Sequence, residues 1–155
     1  MLGLLLQQFL LLSKEVYMSY TARKVNYCYV TVGNRTGAAV NILNQLKTEG
    51  INLLAFSGFP VKGGKAQVDL VADKLVGIQR LARKHGWKLS KSKKAFLIKG
   101  SDNVGAVAGP IARLSEAKIN ITAADAVAAG KGRYGMILWV KPKVYNRAAR
   151  ALKAR

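Results

Sequence analysis

Two short loops hold the residues of this chain best suited to chemistry. Gly33-Asn34-Arg35-Thr36-Gly37 leads into Ala38, and Gly100-Ser101-Asp102-Asn103-Val104-Gly105 leads into Ala106. Glycine at such a place lets the backbone come close to a small ligand and offer its N–H groups. A helix opening directly after the loop adds the partial positive charge of its first turn, which suits a carboxylate. Further along, Asn52 follows Gly50-Ile51 and Asn120 follows Lys118-Ile119. Asparagine is both donor and acceptor, so it suits either end of an amino acid. Groups of this kind bind a ligand and do not transform it.

The more reactive side chains point away from catalysis. His85 is the only histidine and lies in a run of cations just before Gly86, where a surface role is expected. Cys28 is the only cysteine, so neither a disulfide framework nor a zinc cage forms within one chain. It sits in a strand, as a buried structural thiol, and a single thiol fits a reducing, cytoplasmic compartment. Seven acidic residues are scattered without an acid/base pair. Asp69 is expected to face solvent, away from the apolar stripe of its strand. No metal-ligand cluster or phosphate-loop signature is present, so the chain reads as no enzyme and calls for no cofactor.

The elements that position the loops occur twice. Leu46 answers Leu114, Ile51 answers Ile119, Asn52 answers Asn120 and Gly64 answers Gly132, each 68 positions on. Gly33 is matched to Gly100, which places one extra residue in the first loop of the second copy. In the first copy, Lys24 to Val32 reads as a strand, and a helix runs from Ala38 to the stop at Gly50. Ile51 to Phe56 is a strand, Pro60 to Gly64 a turn, Ala66 to Ala72 a strand, and Lys74 to His85 a helix closed by Gly86. Trp87 to Leu89 begins a fourth strand. The second copy predicts strands at Lys94 to Lys99, Ile119 to Val127 and Tyr134 to Val140, and helices at Ala106 to Ala117 and from Pro142 to Leu152. It ends before a fourth strand, so one sheet edge is left for another segment or another chain to cover. The order is the ferredoxin-like βαββαβ arrangement.

Two regions stand apart. Residues 1–17 carry an apolar run too short for a membrane span and without the marks of a signal peptide. Either it is an amphipathic helix that docks, or Met18 is the native start; the second is favoured, since the repeat needs nothing upstream. The net charge of +19 is large and attracts polyanions. It gathers between Lys74 and Lys99, where nucleic acid is the candidate partner. The third strand of the second copy, Lys131 to Trp139, faintly echoes an RNA-recognition strand. Its aromatics split between two faces, so core packing is the expectation.

With these residues in view, the chain resembles the ACT domain. The features are a strand ending in Gly, a polar loop closed by Gly and small residues, a helix, then Gly-Ile-Asn or Lys-Ile-Asn opening the next strand. The likeness covers about Val25 to Leu152 and is closer in the second copy. It implies an α+β fold of two tandem ferredoxin-like units with antiparallel sheets, at residues 24–92 and 93–155. ACT domains are regulatory modules that commonly bind amino acids where two such domains meet. Carried over by position, the implied ligand contacts are Asn34, Arg35, Gly37, Ala38 and Asn52 in one copy. In the other they are Asp102, Asn103, Gly105, Ala106 and Asn120. Thr36 and Val104 stand where the family often has Pro. If one corner binds, the second is expected, with Asp102 and the extra Asn103 set against Arg35. The implied function is non-catalytic regulation by an amino acid or similar small metabolite at an interdomain or intersubunit face. A homodimer and an amino-acid-pathway enzyme are the implied partners, and no membrane. The alternative is a nucleic-acid-binding protein using its basic surface.

Overall fold

The computed structural model describes residues 3–8 and 20–155 of the chain. Residues 3–8 form a short exposed helix, α1. The rest of the leader, and Met18 with the start proposed there, lie outside the described residues. The chain divides into two compact units. One is Val25–Lys94; the other joins Ala95–Arg155 to the N-terminal residues up to Lys24.

The Val25–Lys94 unit holds the greater part of β1 (Tyr20–Gly33), α2 (Val40–Thr48), β2 (Ala55–Val61), β3 (Lys65–Ala72) and α3 (Val76–His85). Its strands lie in the order β2-β3-β1, antiparallel throughout. Leu89 adds a single antiparallel bridge at Val30, which is all that forms of the expected fourth strand. Alternation along the strands turns Cys28, Val30, Val68, Leu70 and Ala72 to one face. There they meet Ile42 and Leu46 of α2 and Ile78 and Leu81 of α3.

Several expected boundaries move: α3 starts at Val76 and not Lys74, β2 runs on through Val61 and not to Phe56, and two starts shift for a local reason. The loop after β1 is a run of tight turns, with the Val40 N–H donating to the Gly37 carbonyl at 3.0 Å. The first four-residue helical bond, from Leu43 to Ala39, comes only afterwards, so α2 starts at Val40 and not at Ala38. Beyond α2, Ile51 and Leu53 pack on the core as irregular chain, and the strand expected from Ile51 begins at Ala55. It runs through Pro60, opposite Ala66. Proline is tolerated there because β2 is an edge strand with one row of unpaired backbone groups.

The other unit contains β4 (Lys93–Ser101), α4 (Ala108–Glu116), β5 (Ile121–Ala128), β6 (Arg133–Val140), a 3-10 turn at Pro142–Val144 and α5 (Tyr145–Ala151). Its core joins Phe96, Ile98, Met136 and Leu138 to Leu114, Tyr145, Ala148 and Leu152. Phe96 and Tyr145 stack with ring centres 4.6 Å apart. The sheet edge expected to lie open is covered from within the chain. The first residues of β1, from Tyr20, lie beside β4, and Ala22 is buried in the core. The C-terminus adds a parallel bridge on their far side: the Arg155 N–H donates to the Ala22 carbonyl, and the Lys24 N–H to the Arg155 carbonyl at 2.8 Å. The order is therefore β1-β4-β6-β5, with residues 20–24 in the place of the fourth strand.

Ladder register corrects the alignment of the copies. Val30 pairs with Val68 as Ile98 pairs with Met136, and Gly33 pairs with Lys65 as Ser101 pairs with Arg133. Gly33 thus corresponds to Ser101, not Gly100, and the first loop of the second copy has no extra residue. Asn34 corresponds to Asp102 and Arg35 to Asn103. The N–H of Asn34 donates to the Gly64 carbonyl and that of Asp102 to the Gly132 carbonyl, at 2.9 and 2.8 Å. The copies slip by one residue only after β3 and β6. Beyond that point Trp87 bonds to the Ala82 carbonyl as Ala154 bonds to that of Ala149.

Candidate functional site

The glycine corner of the Val25–Lys94 unit borders an open cleft of about 700 Å³. Its floor is the end of β1, Val30 to Gly33, with Ala38, Asn41 and Ile42 from the loop and first turn of α2 on one side. The β2–β3 turn supplies Gly63, Gly64 and Lys65, and the segment after α3 supplies Gly86, Trp87 and Lys88. Each wall has a local cause. Gly63 and Gly64 both adopt left-handed backbone, φ +79° and +65°, which closes the hairpin without a side chain over the opening. Gly86, at φ +67°, ends α3 and turns the chain so that Trp87 packs on the core. The Asn34–Gly64 hydrogen bond ties the loop to the hairpin across the corner.

Of the residues singled out in the first copy, only Ala38 lines this cleft. Asn34, Arg35 and Gly37 are exposed beside it and are not among its lining residues, and Asn52 is exposed beyond the far end of α2, near the end of β3 and away from the cleft. In the second copy Asp102, Asn103, Gly105 and Asn120 are exposed and Ala106 is half-buried. Asn41, Lys65, Trp87 and Lys88 went unnoticed in the sequence. They come from three separate segments, and only the pairing of β1 with β3 and with Leu89 draws them together. Asn41 is an exposed position of α2, and nothing local said that the outside there was a cleft.

The second corner is not a copy of this one in its side chains. By register, Gly109 stands for Asn41, Pro110 for Ile42, Arg133 for Lys65 and Ala154 for Trp87. The amide and the indole are gone, while both cations remain, Arg155 standing for Lys88.

Asp69 corrects another expectation. It does face away from the helices, but it is 4% exposed and not solvated. Its Oδ1 accepts a 2.8 Å hydrogen bond from Gln67 Nε2. Burial pushes its carboxyl above the usual value, while the Gln67 bond and the Lys93 charge pull it back. Lys93 also sits 5.2 Å from the centre of the Tyr29 ring. On the opposite, helix-facing side Cys28 is 1% exposed, as expected of a structural thiol, and burial followed by Asp69 raises it to about 11. The basic stretch from Lys74 is not one bare patch, since Arg80 and Lys84 pair with Glu49 at 3.4 and 3.6 Å. Tyr134, Met136 and Leu138 of the faint RNA-like strand are core, as expected. No helix among the described residues is long and apolar enough to cross a membrane.

No protein-family model matches the chain, and no curated protein does. Solved structures do. A protein from Bacteroides thetaiotaomicron superposes with a TM-score of 0.71 at 15% identity, over 85% of this chain and 88% of its own. The regulatory subunit of aspartate kinase from Thermus flavus gives 0.57 at 12% identity, over 88% and 95%. A C-terminal regulatory domain of aspartate kinase from Porphyromonas gingivalis gives 0.55 at 13%, over 87% and 94%.

The fold is of the ACT type. Identities this low carry the fold alone, and two tandem ACT-type units with ferredoxin-like order agree with the element order above. In ACT-type terms, the cleft sits where the first strand hands over to the first helix.

Proposed function

We propose that this chain is a non-catalytic regulatory protein that binds an amino acid or similar small metabolite in the cleft of the Val25–Lys94 unit. The observation that carries this reading is the cleft itself. About 700 Å³ is within the range of small-ligand sites, and Asn41 stands beside the apolar Val32, Ala38, Ile42 and Trp87 on its wall. The likeness to regulatory domains of aspartate kinase supports regulation as the role. Ligand binding shifts how the loop after β1 packs, and that change is passed to a partner of the same or another kind. Asn34, Arg35 and Gly37 are proposed to join Ala38 around the ligand, and Asn52, beyond the other end of α2, to serve as a contact at an intersubunit face. Asp102, Asn103, Gly105, Ala106 and Asn120 are proposed as a second contact set. The chain is proposed to act as a cytoplasmic homodimer beside an amino-acid-pathway enzyme, with a dimer mass in light scattering as the check.

Thermal unfolding in the presence of each of the twenty amino acids and common organic acids tests the function. A ligand at a hundredfold over its dissociation constant adds about 2.7 kcal/mol, a shift of several degrees. Asn41→Ala is expected to abolish the shift and leave the unliganded midpoint in place. No shift with any compound rejects the reading, and salt-sensitive RNA binding in its place would favour the basic surface as the working part.

A further inference from the structure

The two corners share a backbone plan, but the first is open and the second is filled. In the first copy Val32, on the floor of the cleft, is half-buried, and Asn41, on its wall, is exposed. Their counterparts by register, Gly100 and Gly109, are both buried. The side chain that covers them comes from the neighbouring strand. Tyr134 pairs with Gly100, turns to the helix side with Met136 and Leu138, and is 4% exposed. It belongs to the core cluster on which Ala106, Tyr20 and Ala154 pack. A glycine opposite leaves room for a ring to lie across the sheet. In the first copy the same pair is Val32 and Ala66, so a methyl stands where the second copy has a ring. The Tyr134 hydroxyl has no hydrogen-bond partner among the described residues. What the second corner accepts is therefore the ring and not its polar tip.

We propose that Tyr134 is a built-in occupant of the second corner, and that the first corner, built on the same frame without one, takes the aromatic ring of a small ligand over Val32 and beside Trp87. This rests on the reading of the cleft as the ligand site and names the ligand's class. Val32, Ile42 and Trp87 line the cleft, an aliphatic and aromatic surface suited to a ring. Asn41, where the second copy has Gly109, offers an amide to the ligand's polar end. Each chain then takes up one ring from solution, and the exposed loop of the second copy is left for contacts outside its corner.

The test is calorimetric titration of the full chain with phenylalanine, phenol, leucine and aspartate. Saturation at a single aromatic ring per chain is expected, with leucine and aspartate weaker by about tenfold or more. Two variants then move the occupant. Tyr134→Ala is expected to add a second phenol site, because phenol restores the deleted ring to an apolar space. Val32→Gly/Ala66→Tyr is expected to abolish binding at the first corner while cooperative unfolding is kept. Two rings bound by the parent, or no added site in a folded Tyr134→Ala chain, overturns the built-in occupant. If either variant does not fold, the stoichiometry and ring preference of the parent decide. Leucine or aspartate binding as tightly as phenylalanine overturns the aromatic class and leaves the regulatory reading standing. No response from any of the four compounds overturns both.

Discussion

Tyr134 and Tyr145 are both buried, yet their hydroxyls fare differently. The Tyr145 hydroxyl donates to the Ala95 carbonyl at 3.3 Å, whereas that of Tyr134 is buried without a hydrogen-bond partner among the described residues. An unmade buried bond costs stability, and a made one contributes about 1 kcal/mol. Tyr134→Phe is therefore expected to match or exceed the parent in chemical denaturation, and Tyr145→Phe to lose about 1 kcal/mol. Equal losses in both would mean that the Tyr134 hydroxyl is satisfied in solution. Asp69 gives a second residue-scale prediction. Its folded carboxyl is raised above the ordinary 3.8, so the protonated form suits the fold better than the ionised one. The stability it contributes is full below pH 3.8 and is lost as pH climbs through the raised value. Asp69→Asn keeps an acceptor for Gln67 and carries no charge. In thermal melts it is expected to be more stable than the parent at neutral pH and equal to it at pH 3. A variant less stable at neutral pH would show that Lys93 outweighs burial.

Among the elements, the turns separate the copies most sharply. Among the described residues, Lys118, Lys131 and Lys153 are the non-glycine residues with left-handed backbone, φ 54°, 53° and 52°. Each stands where the first copy has glycine: Gly50, Gly63 and Gly86. A side chain in that region costs roughly 1 kcal/mol or more. Lys131→Gly is therefore expected to raise the unfolding midpoint and Gly63→Ala to lower it; the opposite pair of signs would refute the strain. Most elements were legible in the sequence, because each is written in a short window: period two for β3 and β6, helical spacing for α3, Gly86 as its stop. The start of β2 was not legible. Ile51 and Leu53 look like strand, but their apolar side chains serve the core from an irregular segment. The offset in the first loop was misread because a shared glycine pulled Gly33 toward Gly100. Only the cross-strand partners Lys65 and Arg133 show that Ser101 is its equivalent.

For the whole molecule, the consequence is that one unit is assembled from both ends of the chain while the other lies between them. Residues 20–24 and Arg155 complete the sheet edge beside β4, so removing them exposes a row of unpaired backbone and uncovers the core at Ala22. A chain beginning at Val25 is expected to lose cooperative unfolding of the Ala95–Arg155 unit and to aggregate. One beginning at Met18 is expected to keep it. Calorimetric traces of the two compare them directly, and identical traces would show that the edge strand is dispensable.

The sequence by itself determined the α+β class, the doubled βαββα order, the glycine corners and the inward faces of β3, β6 and α3, because these depend on residue type and on spacing within one element; the inner faces of α2 and α4 were misread at Val40 and Val107, which are exposed. Tertiary structure decided which segment covers the edge beside β4, that Asp69 is buried, and that Asn41, Lys65, Trp87 and Lys88 share a cleft. Those depend on pairing between residues far apart in the chain. A strand's own alternation says which side chains share a face; it does not say what lies across from them.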